Sequence, residues 1–319
     1  MQATDSDLRV TSQLLRTGSN TVVWSRTDRA EVSDASGILD VQTQIAGDVA
    51  AQLSQPYGVI QERLREDLSS SRALSMEDYV CVLEAYDYSR AKTAQKHAEV
   101  RDCLEQVTVH SPNYSPAWAK LSWMYGDEER YSFNRRTDAE PPFVRAQAAA
   151  RRAVAADSHS AMAHQYLAIA QFNPREDDEF ARSIETALRL NPNNSEILAD
   201  AAQMLVLQDA PERARELAEK AIAMKPGHPP WYYGPLVIYH IMKGNKAEAL
   251  AAAQKGAPDG SPMAGYMLAA ALRLNGDDVM ANQALEPIYA TFPDARGRQQ
   301  AIVRSQRLPP RIVDLIFGE

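Results

Sequence analysis

The chain has 319 residues, 45% hydrophobic and 24% charged, with a formal net charge of −8 from 34 Lys+Arg against 42 Asp+Glu. That composition excludes a disordered chain, and the length admits two ordinary domains or one elongated repeat array. No basic run is longer than the pairs Arg135–Arg136 and Arg151–Arg152, so the clustered charge that displaces counterions from a nucleic acid is missing and no nucleic-acid partner is expected.

The start, MQATDSDLRV, lacks a basic segment followed by an apolar one, so no secretory signal is expected. Leu8, Val10, Ser12 and Leu14 then alternate, as do Val22 and Trp24 in TVVWSRTDR, on either side of a turn at Gly18–Asn20. A period of two around such a turn predicts a β-hairpin. In DASGILDVQTQIAGDVAAQL, Leu39, Ile45, Val49 and Leu53 fall at helical spacing, with Ser33, Asp34 or Ser36 available as N-cap.

The words RVTSQLL, TVVWSRTDR and LDVQTQIAGDVAAQL, in that order, resemble the last third of the TolB-amino-terminal-like module. In bacterial proteins that module often precedes tetratricopeptide repeats and follows a winged-helix DNA-binding domain or a nucleotide cyclase domain. Its earlier strands and helix have no counterpart here. We expect residues 1–54 to be a partial module, with 55–75 a linker. A lone hairpin is marginal in water, and its open edges invite strand addition. A homodimer through the hairpin is one expected outcome.

From residue 76 the periodicity becomes helical. Residues 76–110 read as a degenerate two-helix unit, with Cys81 and Cys103 on its helices. Two cysteines suggest neither a disulfide framework nor a zinc knuckle. They are expected as packing in a reducing, cytoplasmic compartment.

Residues 111–293 then carry about five units of a repeat. Phe180, Ile184 and Ala187 lie twelve, eight and five residues before Pro192. Ala214, Ala218 and Ala221 stand the same distances before Pro226, 34 residues later. Each set marks one helix face, and the proline ends the helix. The phase extends upstream to Trp118, Leu121, Ser122 and Tyr125, with Ala146, Ala149 and Ala153 inward on the following helix. Downstream it meets the turns Gly244–Asn245 and Asn275–Gly276, each followed by an inward alanine, Ala249 or Ala281. Departures are the inserted loop GDEERYSFNRRTDAEPP, Ser158 in a proline's place, and Pro235 inside a first helix.

These residues resemble the tetratricopeptide repeat. The resemblance implies a mainly α fold, a superhelix of antiparallel helix pairs preceded here by the hairpin and helix. Such two-helix units cannot bury their apolar faces alone, so copies stack on a shared core. Residues 294–319, with Ile302, Val303, Ile312, Val313, Leu315, Ile316 and Phe317, are expected to form capping helices over the open end.

No phosphate-cradling loop, nucleophile elbow or His-Glu-x-x-His motif occurs. His159 and His164 are about 140° apart on a helix and cannot share a metal. The run Glu176–Glu179 suits a helix N-terminus. The protein is therefore expected to be no enzyme and to use no cofactor or metal. The most apolar stretch, PPWYYGPLVIYHIM, is 14 residues long with three prolines, against about 20 apolar residues for a bilayer, so no membrane partner is expected.

What remains is a surface. The resemblance implies that residues two, five, nine and twelve of each unit line a concave groove. That count gives Trp123, Gln165, Ile169, Phe172, Gln203, Trp231, Ile238, Tyr266 and Arg273, with Ala119, Met162, Glu196, Val206 and Met263. The lining is mostly apolar with aromatic anchors, and the Lys/Asn/Arg ring that grips chaperone chain ends in other repeats is absent. We expect a scaffold for protein–protein interaction that takes an apolar or amphipathic peptide or helix. The alternative is the sensory or regulatory C-terminal part of a bacterial signalling protein, a winged-helix transcriptional regulator or class III adenylate cyclase, whose output domain is absent from this chain.

Overall fold

The computed structural model describes residues 2–3, 7–16, 19–31, 35–54, 59–60, 77–89, 92–172, 177–208, 210–224, 227–259, 261–291 and 307–318. They fall into two compact units, residues 1–70 and 71–319.

The first unit is an antiparallel sheet of β1 (Gln2–Ala3), β2 (Asp7–Leu15) and β3 (Val22–Glu31), in that order, followed by α1 (Ala35–Ser54). On β2 the expected alternation holds: Leu8 is buried and Val10, Ser12 and Leu14 are half-buried, while Arg9, Thr11 and Gln13 are exposed. On β3 it breaks. Leu14 pairs with Trp24 but Leu15 pairs with Val22, so Val23 is an extra residue. Such a bulge turns its neighbour to the other face, and Val22 is 50% exposed while Trp24 is half-buried. Arg26 of β3 donates from Nη2 to Asp48 of α1 at 2.9 Å. The covered face of α1 runs through Val41, Ile45, Asp48 and Val49. Leu39, expected inward, is 65% exposed because that row begins at Val41. Gly18, Ser33 and Asp34 lie outside the described residues, and Ser36 is inside the helix, not at its cap.

Among the described residues the second unit holds six helix pairs in sequence. They are α2 (Glu77–Tyr88) with α3 (Ala94–His110), α4 (Ser115–Tyr131) with α5 (Pro142–Ala156), and α6 (Ala161–Phe172) with α7 (Asp177–Leu190). Then come α8 (Ser195–Val206) with α9 (Pro211–Met224), α10 (Gly234–Lys243) with α11 (Lys246–Gly256), and α12 (Pro262–Leu274) with α13 (Asp278–Thr291). A last helix, α14 (Pro310–Phe317), follows.

Local chemistry sets these boundaries. The Asn194 side chain accepts from the backbone N–H groups of Glu196 and Ile197, and the Ser261 hydroxyl from that of Ala264, each satisfying donors that a helix start leaves open. Gly244 ends α10 at φ 75° and Gly276 follows α12 at φ 86°, left-handed conformations that cost a glycine little. Pro235 lies inside a first helix as expected, but only at its start. A 3-10 turn, Pro230–Tyr233, precedes α10 and puts Pro235 in its first turn, where the missing N–H is harmless. Pro226 and Pro293 lie outside the described residues.

Small residues let the helices cross closely. Ala168, Ala187, Ala201, Ala202, Ala214, Ala218 and Ala221 are all fully buried. A Cβ added at Gly265 of α12 would collide with Ile288 of α13. Ser115 and Ser122 sit at such crossings and donate to the carbonyls of Ala153 and Ala146, at 2.9 and 2.8 Å.

The inserted loop after α4 is pinned rather than loose. Glu128, fully buried, receives Arg101 at 3.1 Å and pairs with Arg145. Arg101 also donates to the carbonyl of Asn134, whose own amide donates to that of Ala94.

The two cysteines correct the sequence reading. Cys81 of α2 and Cys103 of α3 are joined in a disulfide, with Cα atoms 5.7 Å apart. They are a staple in the first helix pair, not two packing thiols. Disulfides persist in oxidising surroundings, so the bond lends no support to the reducing, cytoplasmic compartment expected from the sequence.

The end of the chain also departs from expectation. Ile302 and Val303 lie outside the described residues. The described part, α14, packs on α12 and more lightly on α10, the first helices of the last two pairs, with Ile312 and Ile316 fully buried. A cap over the open end would instead lie mainly on α13.

Candidate partner-binding groove

Each first helix touches the first helix of the next pair: α2 meets α4, α4 meets α6, and so on to α12. The six form one continuous face, and it divides into two halves of different chemistry.

The C-terminal half is apolar. Val206, Ile238, Ile241 and Tyr266 share one cluster with Leu308, Ile312 and Ile316 of the chain's own last segment. Tyr266 is fully buried and its hydroxyl has no hydrogen-bond partner among the described residues, and burial, with Tyr289 adding, pushes its pKa up to about 12. Arg273 holds the far end of α14 through the carbonyls of Leu315 and Ile316. At the near end, the guanidinium of Arg307 lies 4.4 Å from the centre of the Phe172 ring. The segment from Arg307 to Phe317 therefore runs along first-helix surface from α6 to α12.

The N-terminal half is polar and aromatic. Lys120 of α4 is fully buried; its Nζ donates to the Tyr166 hydroxyl at 2.6 Å and stands 3.7 Å from the centre of the Tyr86 ring. Trp123 stacks on Tyr166 at 6.3 Å and lies 5.4 Å from Tyr88. Tyr88 donates to Asp127, which also pairs with Arg130 at 3.2 Å. On α8, Glu196 and Asp200 stand one turn apart, and the Gln165 amide donates to Asp200 at 2.6 Å. Burial raises Asp200 to about 7, with Glu196 adding to the rise. Burial likewise lowers Lys120, against the pull of Glu196 and Asp200.

Of the expected groove residues, Ile238, Tyr266 and Arg273 lie against the C-terminal segment, and Phe172 meets its start. Trp123 and Gln165 belong to the polar half, and Ile169 packs between its aromatic cluster and that of Phe172. Gln203 is half-buried, its Oε1 so near Gly234 that a Cβ there would stand 2.9 Å away. Trp231 goes elsewhere, into a cluster with Tyr232, Leu198 and Ala221. Lys120, Tyr166 and Asp200 did not enter the expected lining. Lys120 and Tyr166 directly follow the counted fifth positions Ala119 and Gln165, and Asp200 follows Ala199, which holds the same register in its unit but was not counted; that shared register was the missed signal.

No protein-family model and no curated protein matches the chain. Solved structures do. A monomeric mutant of IFIT1 with Gppp-AAAA superposes with a TM-score of 0.59 at 14% identity, covering 81% of this chain and 62% of that one. The human IFIT1 dimer with m7Gppp-AAAA gives 0.58 at 16% identity, covering 76% and 56%. The Cut9–Hcn1 hetero-tetramer of APC/C gives 0.55 at 12% identity, covering 85% and 51%. The chain matches about half to three-fifths of their length. The fold is a tetratricopeptide-type α-solenoid with a short N-terminal antiparallel sheet. Among the described residues no helix is long and apolar enough to cross a membrane.

Proposed function

We propose that the protein is a non-catalytic interaction scaffold whose first-helix face binds an amphipathic helix or apolar-anchored peptide of a protein partner. The observation that carries this is α14. It lays Ile312 and Ile316, one turn apart, among Ile238, Ile241 and Tyr266, while Arg273 takes its last carbonyls. Helix-in-groove recognition uses such i, i+4 anchors, and a guanidinium at a helix C-terminus complements its dipole. The Gppp-AAAA and m7Gppp-AAAA ligands of the IFIT1 structures do not transfer to this reading. The carboxylates of Glu196 and Asp200 on the same face repel phosphate.

The test is a titration. Ile316→Asp loosens α14 in the full chain, and a fluorescent peptide of residues 307–318 is then added. The reading requires saturable binding to the variant and much weaker binding to the wild type, whose own helix competes. Equal or no binding to both contradicts it.

A further inference from the structure

The first unit is thinly packed and open at one edge. Among its described residues only Leu8 is buried, and β3 is the last strand of the sheet, with β2 on one side and no described strand on the other. Units with so small a core are commonly completed by oligomerisation, and the free N–H and C=O row of an edge strand is a template for another strand. Along β3, Arg26, Asp28 and Ala30 are half-buried, while Ser25, Thr27, Arg29 and Glu31 are exposed. Charges on the covered face normally block strand addition, because a new neighbour leaves them buried and unmatched. Here the two charges are opposite and two residues apart. Arg26 donates to Asp28 Oδ1 at 2.8 Å and to Asp48 at 2.9 Å. Asp28 Oδ2 is buried and has no hydrogen-bond partner among the described residues, so this carboxylate has room for a second donor.

We infer that β3 is a dimer interface, pairing antiparallel with β3 of a second copy of this chain about a two-fold axis at Thr27. That register sets Arg26 of each copy opposite Asp28 of the other, and residues so opposed stand about 4.5–5.5 Å apart at Cβ. The second guanidinium is the donor that Asp28 Oδ2 lacks, and bonds between such charges are the strong ones. The same register sets Trp24 opposite Ala30, large against small, and Thr27 opposite itself. Its neighbours fail. Centred on Arg26, two guanidiniums face each other, and centred on Asp28, two carboxylates do; like charges directly opposed are destabilising. A half-step puts covered residues opposite exposed ones, which the pleat forbids. The charges that repel other strands thus select this one. The product is an isologous dimer with one continuous sheet. The inference concerns the first unit alone and is independent of the partner groove.

The full chain is tested by light scattering and by disulfide cross-linking. The wild type should scatter as a dimer at micromolar concentration. Cys81 and Cys103 are already joined to each other, so an added cysteine reports alone. Thr27→Cys should form an intermolecular disulfide on mild oxidation, because its own copy lies directly opposite and within reach. Ser25→Cys and Arg29→Cys should cross-link with each other when mixed, and far less each with itself. Asp28→Asn keeps an oxygen for Arg26 but removes the charge, and should raise the dimer dissociation constant about tenfold, the factor a lost charge-assisted bond gives. The cysteines replace exposed side chains, so the register is read even if Asp28→Asn does not fold. A monomer at every concentration overturns the inference. So does a dimer without the Thr27→Cys cross-link, a Ser25→Cys variant that links to itself as readily, or an unchanged dissociation constant in folded Asp28→Asn.

Discussion

Arg273, in the last turn of α12, donates from Nη1 to the carbonyl oxygens of both Leu315 and Ile316. Its side chain is 8% exposed and its Nε faces Asp278 at 3.5 Å. One buried cation thus binds the C-terminus of α14 to the repeat array. Arg273→Leu should cost that contact about 1.5–3 kcal/mol, the worth of bonds to a charged donor. Amide exchange within α14 should quicken while exchange in α4–α9 stays unchanged. Unchanged protection of α14 would show that the apolar face alone holds it.

Glu128 carries the buried charge between Arg101 and Arg145. Glu128→Gln leaves two guanidiniums facing a neutral group, which should cost about 3–5 kcal/mol. Thermal melts should show a clear drop and earlier proteolysis in the loop 132–141. A melt within error of the wild type would mean that water already compensates the pair.

The Cys81–Cys103 bond closes a loop with a sequence separation of 22. Cys103→Ser should weaken the first helix pair by about 2–4 kcal/mol. Hydrogen exchange should locate the loss in α2 and α3, with the later pairs unaffected as expected of a stack with nearest-neighbour coupling. A uniform loss across all pairs would contradict that coupling.

Asp200 faces Glu196 on its own helix, Gln165 from α6, and Lys120 and Arg130 from α4. Its pKa is raised from 3.8 to about 7 in the fold, so the folded state favours the protonated form. That contribution is present below about pH 4 and is lost as pH climbs through about 7. Asp200→Asn removes it. The difference in melting temperature, variant minus wild type, should grow more positive from pH 4 to pH 8. A flat difference across that range would show that Asp200 ionises freely.

Much of the fold was written in the sequence because stacking needs the same small residues at the same phase. Ala187 and Ala221 mark equivalent crossings, and both are fully buried. The hairpin was legible from alternation, but the bulge at Val23 was not, since one extra residue leaves no compositional trace. The disulfide escaped because only the packing of α2 on α3 brings Cys81 and Cys103 within reach. Position counting named Gln165 but passed over its hydrogen-bond partner Asp200, because a bond across two helices depends on their rotation. The docking of α14 could not be read at all. Ile312 and Ile316 announce an apolar face, but which surface covers it is decided by tertiary contact.

The most direct measurement is of methyl–methyl proximity in the intact protein, with Ile, Leu and Val labelled. Nuclear Overhauser contacts should link Ile312 and Ile316 of α14 to methyls of α10 and α12, such as Ile238, Ile241 and Leu274. Contacts found instead to Leu285 and Ile288 of α13 would place α14 at the end of the stack as a cap, and would contradict a face built to receive a helix.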